Sequence, residues 1–162
     1  MTGRPLSLLD QIDHTDGLCG PFALAAQALL GGELRILWCA DRRQFAQHDW
    51  PPSEPLALHV YMVDGDGTAV DAEGRRSEAD LREAFGVAPG YRYRIEIASP
   101  ARVGEVFRAA LDTALVDEAA QLIREAGWDE GVPEATGELA ERWAEARALQ
   151  KARALAEADP AP

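Results

Sequence analysis

Asp16-Gly17-Leu18-Cys19-Gly20-Pro21-Phe22-Ala23-Leu24-Ala25-Ala26-Gln27-Ala28-Leu29-Leu30-Gly31-Gly32 reads as a turn that runs into an apolar helix, with a cysteine at the junction. Phe22, Leu24, Ala25, Ala28 and Leu29 fall at helical spacing, Pro21 suits a first turn where no N–H is needed, and Gly31-Gly32 supply the stop. Cys19 is therefore expected at a helix N-terminus. Unpaired backbone N–H groups and the positive end of the helix dipole there favour a thiolate and can later hold an oxyanion. Taken alone, a cysteine under a Gly-rich turn is more often a small buried hydrophobe than a nucleophile. Its partners have to decide.

Working outward, Glu33 to Cys39 alternates and then turns wholly apolar, as a strand covered on both sides does, which makes Cys39 a core residue. Leu56 to Asp64 is apolar on both faces apart from His59, so a histidine sits in a central strand. Asp64-Gly65-Asp66-Gly67 is a hairpin turn, and Thr68 to Gly74 is the return strand carrying Asp71. Ser77 with Asp80 forms a capping pattern ahead of a short helix, Glu78 to Phe85, closed by Gly86, and Tyr91 to Ile97 alternates as a further strand. Toward the N-terminus, Leu6, Leu8, Leu9 and Ile12 form an apolar arm or helical turn, with Gln11, His14 and Asp16 on the approach to Cys19.

Cys19, His59 and Asp71 supply, in that order, the set that cysteine-based acyl chemistry needs. It requires a nucleophile, an imidazole that pairs with it and protonates the leaving group, and a carboxylate that orients the imidazole. Strand periodicity adds a condition. For His59 and Asp71 to share a face, opposed residues of the hairpin must sum to an even number, which excludes a two-residue turn at Gly65-Asp66. A three-residue connection, Gly65 to Gly67, makes them diagonal neighbours, and a five-residue one, Val63 to Gly67, sets them directly opposite.

The stretches Asp16 to Ala25, Leu58 to Val63 and Asp66 to Ala72 resemble the papain-like cysteine peptidase and amidase superfamily, above all its compact bacterial branches: NlpC-type amidases, the transglutaminase-like core and double-glycine leader peptidases. Asp16-Gly17-Leu18-Cys19 is also similar to the cysteine motif of ovarian-tumour-type deubiquitinases, which carry their histidine far later in a longer chain. The resemblance covers roughly residues 10 to 97. It implies a thiol protease or amidase with Cys19 as nucleophile, His59 as base and acid and Asp71 as orienting residue. The oxyanion hole would use the Cys19 N–H and one side chain before it, for which Gln11 and His14 are candidates. The fold expected is α+β: a papain-like catalytic core over residues 1-98, with the Cys19 helix on a mainly antiparallel sheet, and a C-terminal helical extension, 99-162, packed on it.

In the rest of the chain, Asp41 to Pro55 is rich in proline and is expected as an exposed loop, in which Trp50 is a substrate-binding candidate, although partial burial in packing is the commoner explanation for such a residue. From Pro100 to Trp128 apolar residues recur at three- and four-residue steps, as one amphipathic helix would have them. A second helix from Glu134 to Ala158 carries a narrower stripe, suited to the first helix or to a second copy of the chain, so a homodimer through the C-terminal helices stays open.

The 162 residues suit one domain, and the formal charge of -12 opposes nucleic acid and anionic membrane as partners, since both are polyanions. A peptide or protein substrate is expected. Two cysteines make no disulfide framework, and Met1 to Leu6 lacks an apolar signal core, which gives the expectation of a reduced, cytoplasmic protein. No cofactor and no metal is expected: phosphate-loop and dinucleotide fingerprints are absent, and His14, Cys19, Cys39, His48 and His59 lack tight ligand spacing. The competing class is a non-catalytic acidic binding or adaptor protein, a nucleic-acid mimic or inhibitor on the same fold.

Overall fold

The computed structural model describes residues 2–48 and 55–158. Five strands form one sheet in the order β4-β3-β2-β1-β5, with every neighbouring pair antiparallel. They are β1 (Glu33–Cys39), β2 (Leu56–Val63), β3 (Ala69–Asp71), β4 (Gly74–Arg76) and β5 (Tyr93–Ala98). The helix that begins at Cys19, α2 (Cys19–Leu30), follows α1 (Leu8–Thr15) and covers one face, where Cys19, Ala23, Leu34, Ile36 and Val60 share a buried cluster. On the opposite face α4 (Glu78–Ala84) sets Leu81 among Leu37, Tyr61 and Val63. The protein is thus α+β, with an antiparallel sheet between helical layers.

Local chemistry sets most of these boundaries. The Ser7 hydroxyl accepts from the Asp10 N–H and starts α1, and Ser77 does the same for α4 through Asp80. The strand expected over residues 68–73 is interrupted. The Asp71 carboxylate accepts from the Glu73 N–H, and Asp71 pairs with Gly74 across the two-residue turn Ala72-Glu73, so the chain doubles back as β4. Gly74 has φ +122°, and a Cβ there would collide with the Pro133 carbonyl, because residues 133 and 135 hydrogen-bond to Arg75 along the outer edge of β4.

Two further expectations need correction. The first half of the expected loop after Asp41 is helix α3 (Arg42–His48), where the Asp41 carboxylate accepts from the Arg43 N–H and from its guanidinium. Residues 49–54 lie outside the described residues. The single helix expected from Pro100 to Trp128 is divided into α5 (Pro100–Val106), a 3-10 turn at Arg108–Leu111, α6 (Thr113–Glu125) and a second 3-10 turn, Trp128–Glu130. Ser99 caps α5 and Asp112 caps α6, each through its side chain, so the second cap restarts the helix on a new axis while the apolar spacing carries across the break. The C-terminal region then forms α7 (Glu138–Glu141) and α8 (Trp143–Ala158).

Residues beyond 98 build the same core as those before it. Phe22, Ala26 and Met62 pack with Ala119, Ile123 and Trp128, and the Phe22 and Trp128 rings meet edge to face with centroids 5.8 Å apart. The N-terminal segment is tied to that region: Gly3 N–H donates to the Gly131 carbonyl, Arg4 N–H to Ala126, and the Trp128 indole to the Arg4 carbonyl. On the far side, Leu139 and Ala146 bury Ile12 of α1, where Arg153 and Gln150 also reach Asp13.

The N-terminus of α2 sits against the α5–α6 connection. A Cβ on Gly20 would lie 2.9 Å from the Phe107 Cβ and 3.1 Å from the Ala110 Cβ, closer than either can yield without backbone movement. Gly20→Ala sets a helix-propensity gain of at most about 1 kcal/mol against an overpacking cost of about 1–3 kcal/mol. We expect a net loss of stability, read as a lower urea midpoint at unchanged slope. A stabilised variant would show that this junction is loosely packed.

Candidate functional site

The hairpin connection brings His59 and Asp71 together. Met62 stands opposite Val70 and Val63 opposite Ala69, both even sums. Asp64 N–H donates to the Thr68 carbonyl across a three-residue loop, and Gly67, at φ +81°, donates back to the Asp64 carbonyl. This is the three-residue alternative, and it makes the two side chains diagonal neighbours. His59 Nε2 lies 2.9 Å from Asp71 Oδ2, with both side chains almost wholly buried.

A second irregularity places the ring. Leu37 pairs with His59 but Trp38 pairs with Ala57, so Leu58 is an extra residue in β2. Such a bulge bends its strand and re-aims the side chains beside it. The imidazole stacks on Phe85 at the end of α4, centroids 3.9 Å apart, and on Tyr61 at 6.1 Å. Although α2 and α4 cover opposite faces of the sheet, Cys19 is among the groups that raise the His59 pKa. Nε2 is committed to Asp71, while the buried Nδ1 has no well-formed hydrogen bond.

Charge is organised around this pair. Burial alone would lower the His59 pKa, but the bond to Asp71 and the interaction with Cys19 outweigh it and push the ring up to about 9. Burial would raise Asp71, yet the His59 bond and the nearby Arg76 guanidinium hold its carboxyl below the usual carboxylate range. Arg76 donates through Nη2 to Asp71 Oδ2 and to Glu73 Oε2, both at 2.8 Å. Glu73 is raised, chiefly by burial. At the start of α2, Leu18 provides no side-chain cap, and neither the Cys19 nor the Gly20 N–H donates a hydrogen bond among the described residues. Two donors are left at a helix N-terminus beside the thiol.

The remaining sequence candidates are placed differently. Gln11 donates its amide to the Leu6 carbonyl, and His14 Nδ1 pairs with the Asp10 carbonyl while its ring meets Phe22 edge-on at 5.6 Å. Both are buried within α1, and neither hydrogen-bonds to Cys19, His59 or Asp71. Trp50 lies outside the described residues. Cys39 is a core residue whose Sγ is directed at the Asp41 carbonyl, and burial raises its thiol.

Beside the His59–Asp71 pair a cleft of about 490 Å3 opens. Its wall includes Leu58, next to His59 in the chain, Phe85, stacked on His59, and Glu73 and Arg76, both tied to Asp71. The opposite side comes from the C-terminal segment through Leu139, Ala140 and Trp143. Gln44 of α3 is a further buried cleft residue; Gly86, at φ +83°, leaves it room, since a Cβ there would lie 2.7 Å from its Nε2. Sequence reasoning missed Glu73, Arg76, Phe85 and Gln44. The only local signal was the Gly74-Arg75-Arg76 run after Asp71. Among the described residues no group of three or more His, Cys, Asp or Glu side chains is arranged to hold a metal, and no helix is long and apolar enough to cross a membrane.

The sign of the pH dependence follows from these directions. His59 binds its proton more tightly folded than unfolded, so its contribution is complete below its ordinary 6.5 and is lost as pH rises through about 9. The lowered Asp71 contributes above its ordinary 3.8 and is lost as pH falls below it. At about 1.4 kcal/mol per tenfold change, the His59 rise corresponds to about 3 kcal/mol. The Tm difference between the wild type and His59→Gln is therefore expected to be largest near pH 5–6 and to shrink by several degrees by about pH 10. A difference that grows toward pH 10 would mean that the ring is held neutral. No family model, no curated protein and no solved structure matches the chain.

Proposed function

We propose that the protein is a cysteine hydrolase of papain-like fold that cleaves an amide, peptide or isopeptide bond. The observation that carries this reading is one buried imidazole bonded through Nε2 to Asp71 while Cys19, at an uncapped helix N-terminus, acts on the same ring. The resemblance of the sequence around Cys19, His59 and Asp71, and the cysteine helix lying on an antiparallel sheet, support it further.

The chemistry then follows from the groups present. The Cys19 sulfur attacks the carbonyl carbon, and the resulting oxyanion is received by the free N–H groups of Cys19 and Gly20. The His59 imidazolium protonates the leaving nitrogen as the C–N bond breaks, which leaves a thioester on Cys19. Neutral His59 next takes a proton from water, the hydroxide attacks the thioester, and the thiol is released with the acid. An amine in place of water gives acyl transfer by the same steps. Asp71 stabilises the imidazolium and fixes its orientation, and Arg76 keeps Asp71 ionised.

Iodoacetamide near neutral pH is expected to alkylate Cys19 on the order of a hundredfold faster than the buried, raised Cys39. Equal, slow labelling of both would leave a non-catalytic binding protein. In a screen of peptide, isopeptide and glutamine substrates, Cys19→Ala and His59→Ala are expected to lower kcat on the order of 10⁴-fold or more, and Asp71→Asn roughly 10²–10⁴-fold. Asn suits this test better than Ala, because removing the carboxylate's bulk would also strand Arg76. Full turnover by Cys19→Ala would overturn the mechanism.

A further inference from the structure

The cleft beside the triad contains a carboxylate that the mechanism does not use. The Glu73 side chain is only 9 % exposed. Its Oε2 accepts from Arg76, whereas Oε1 accepts from nothing among the described residues, and Glu73 lines the cleft. The apolar part of the wall comes from Leu58 and Phe85 and, in the C-terminal segment, Leu139 and Trp143, beside the polar Thr15, Asp16, Gln44 and Arg76. A carboxylate oxygen without a partner among the described residues, in a cleft that also has apolar walls, matches an aliphatic chain that ends in a donor.

We propose that this cleft is the subsite for a primary amine on an extended aliphatic stem, the side chain of an unmodified lysine in a peptide substrate. The inference rests on the triad reading above and assigns its substrate class. The four methylenes of lysine would lie against Leu58, Phe85 and Leu139, with the ammonium donating to Glu73 Oε1. Arg76 does not oppose this, since its Nη2 is shared by the Asp71 and Glu73 carboxylates. Burial now raises the Glu73 carboxyl, and a bound cation would relieve that penalty. Asp16, also in the cleft wall, adds a second carboxylate, of which Arg147 occupies only Oδ2. The overall charge of -12 draws cations toward the surface. An acidic side chain would meet Glu73 and Asp16, with Arg76 already shared by two carboxylates.

The test compares Nα-acetyl-lysine methylamide with Nα-acetyl-norleucine methylamide, which share the stem and differ in the amine. Binding is followed by NMR titration of the full chain carrying Cys19→Ala, so that it is read without chemistry. The lysine compound should bind at least tenfold more tightly, as a charge-assisted bond to a buried carboxylate requires, and Glu73→Gln should bring the two together. If Glu73→Gln does not fold, the comparison in the Cys19→Ala protein decides alone. Equal binding, or tighter binding of norleucine, overturns the lysine subsite. Iodoacetamide labelling of Cys19 in the wild type is scored separately, so a silent cleft with a reactive Cys19 removes this inference alone, and an unreactive Cys19 removes the hydrolase reading with it.

Discussion

The hydrogen bond between His59 and Asp71 holds two ionisable groups where neither could remain charged by itself. An isolated ion in such surroundings would neutralise rather than pay the cost of lost hydration. Here each supplies the other's counter-charge, and Arg76 and Glu73 extend the set so that positive and negative groups alternate through the buried layer. Much of the local architecture serves this arrangement. The three-residue loop after Asp64 sets the parity that places both side chains on one face, the extra residue Leu58 bends β2 beside the ring, and the turn at Ala72-Glu73 swings Arg76 back over Asp71. Ion pairs this deeply buried are seldom the cheapest way to stabilise a fold, and apolar residues of similar volume often do as well or better. Under the proposed hydrolase function, they are there for what a protonated imidazole can do next to a thiol.

Period and capping made a good part of this legible in the sequence. The apolar runs of β1 and β2, the alternation of β5, the serine cap of α4 and the cysteine at the head of α2 are all local properties, and the requirement for an even register at the hairpin follows from strand geometry alone. The missed elements share a different cause. Ala72-Glu73 is not a turn-forming pair; the turn exists because Asp71 bonds the Glu73 N–H and Gly74 tolerates a close approach by Pro133. Helix α3 was hidden by the prolines that follow it, and the division at Phe107 by apolar spacing that continues through the break. Arg76, Phe85 and Gln44 join the site only through tertiary placement, for which a linear reading has no signal. Gln11 and His14 show the converse: the right residue types at a suggestive distance from Cys19, satisfied instead by carbonyls within their own segment.

Gly20 links the chemistry to the packing. Immediately after Cys19, it lets the connection between α5 and α6 approach the first turn of α2 more closely than any side chain would allow. With Pro21 next in line and no side-chain cap at Leu18, the start of α2 is held by neighbours rather than by its own hydrogen bonds. Its N–H groups are left unoccupied in a place that cannot easily move, which is the condition for donors to be pre-organised toward a developing negative charge.

The bond from the Trp128 indole to the Arg4 carbonyl spans 124 positions of the chain, and the Gly3 and Arg4 N–H groups reach residues 131 and 126 in the same way. A ribosome that has released only the first hundred residues has therefore made the sheet and α2 without what seals Phe22 and Met62 from water. Closure of the core has to wait until residues 126–131 have emerged, so the segment around Gly3 and Arg4 docks only after them. During that interval the apolar face of α2 is open to solvent, and the nascent chain would be at its most dependent on chaperones.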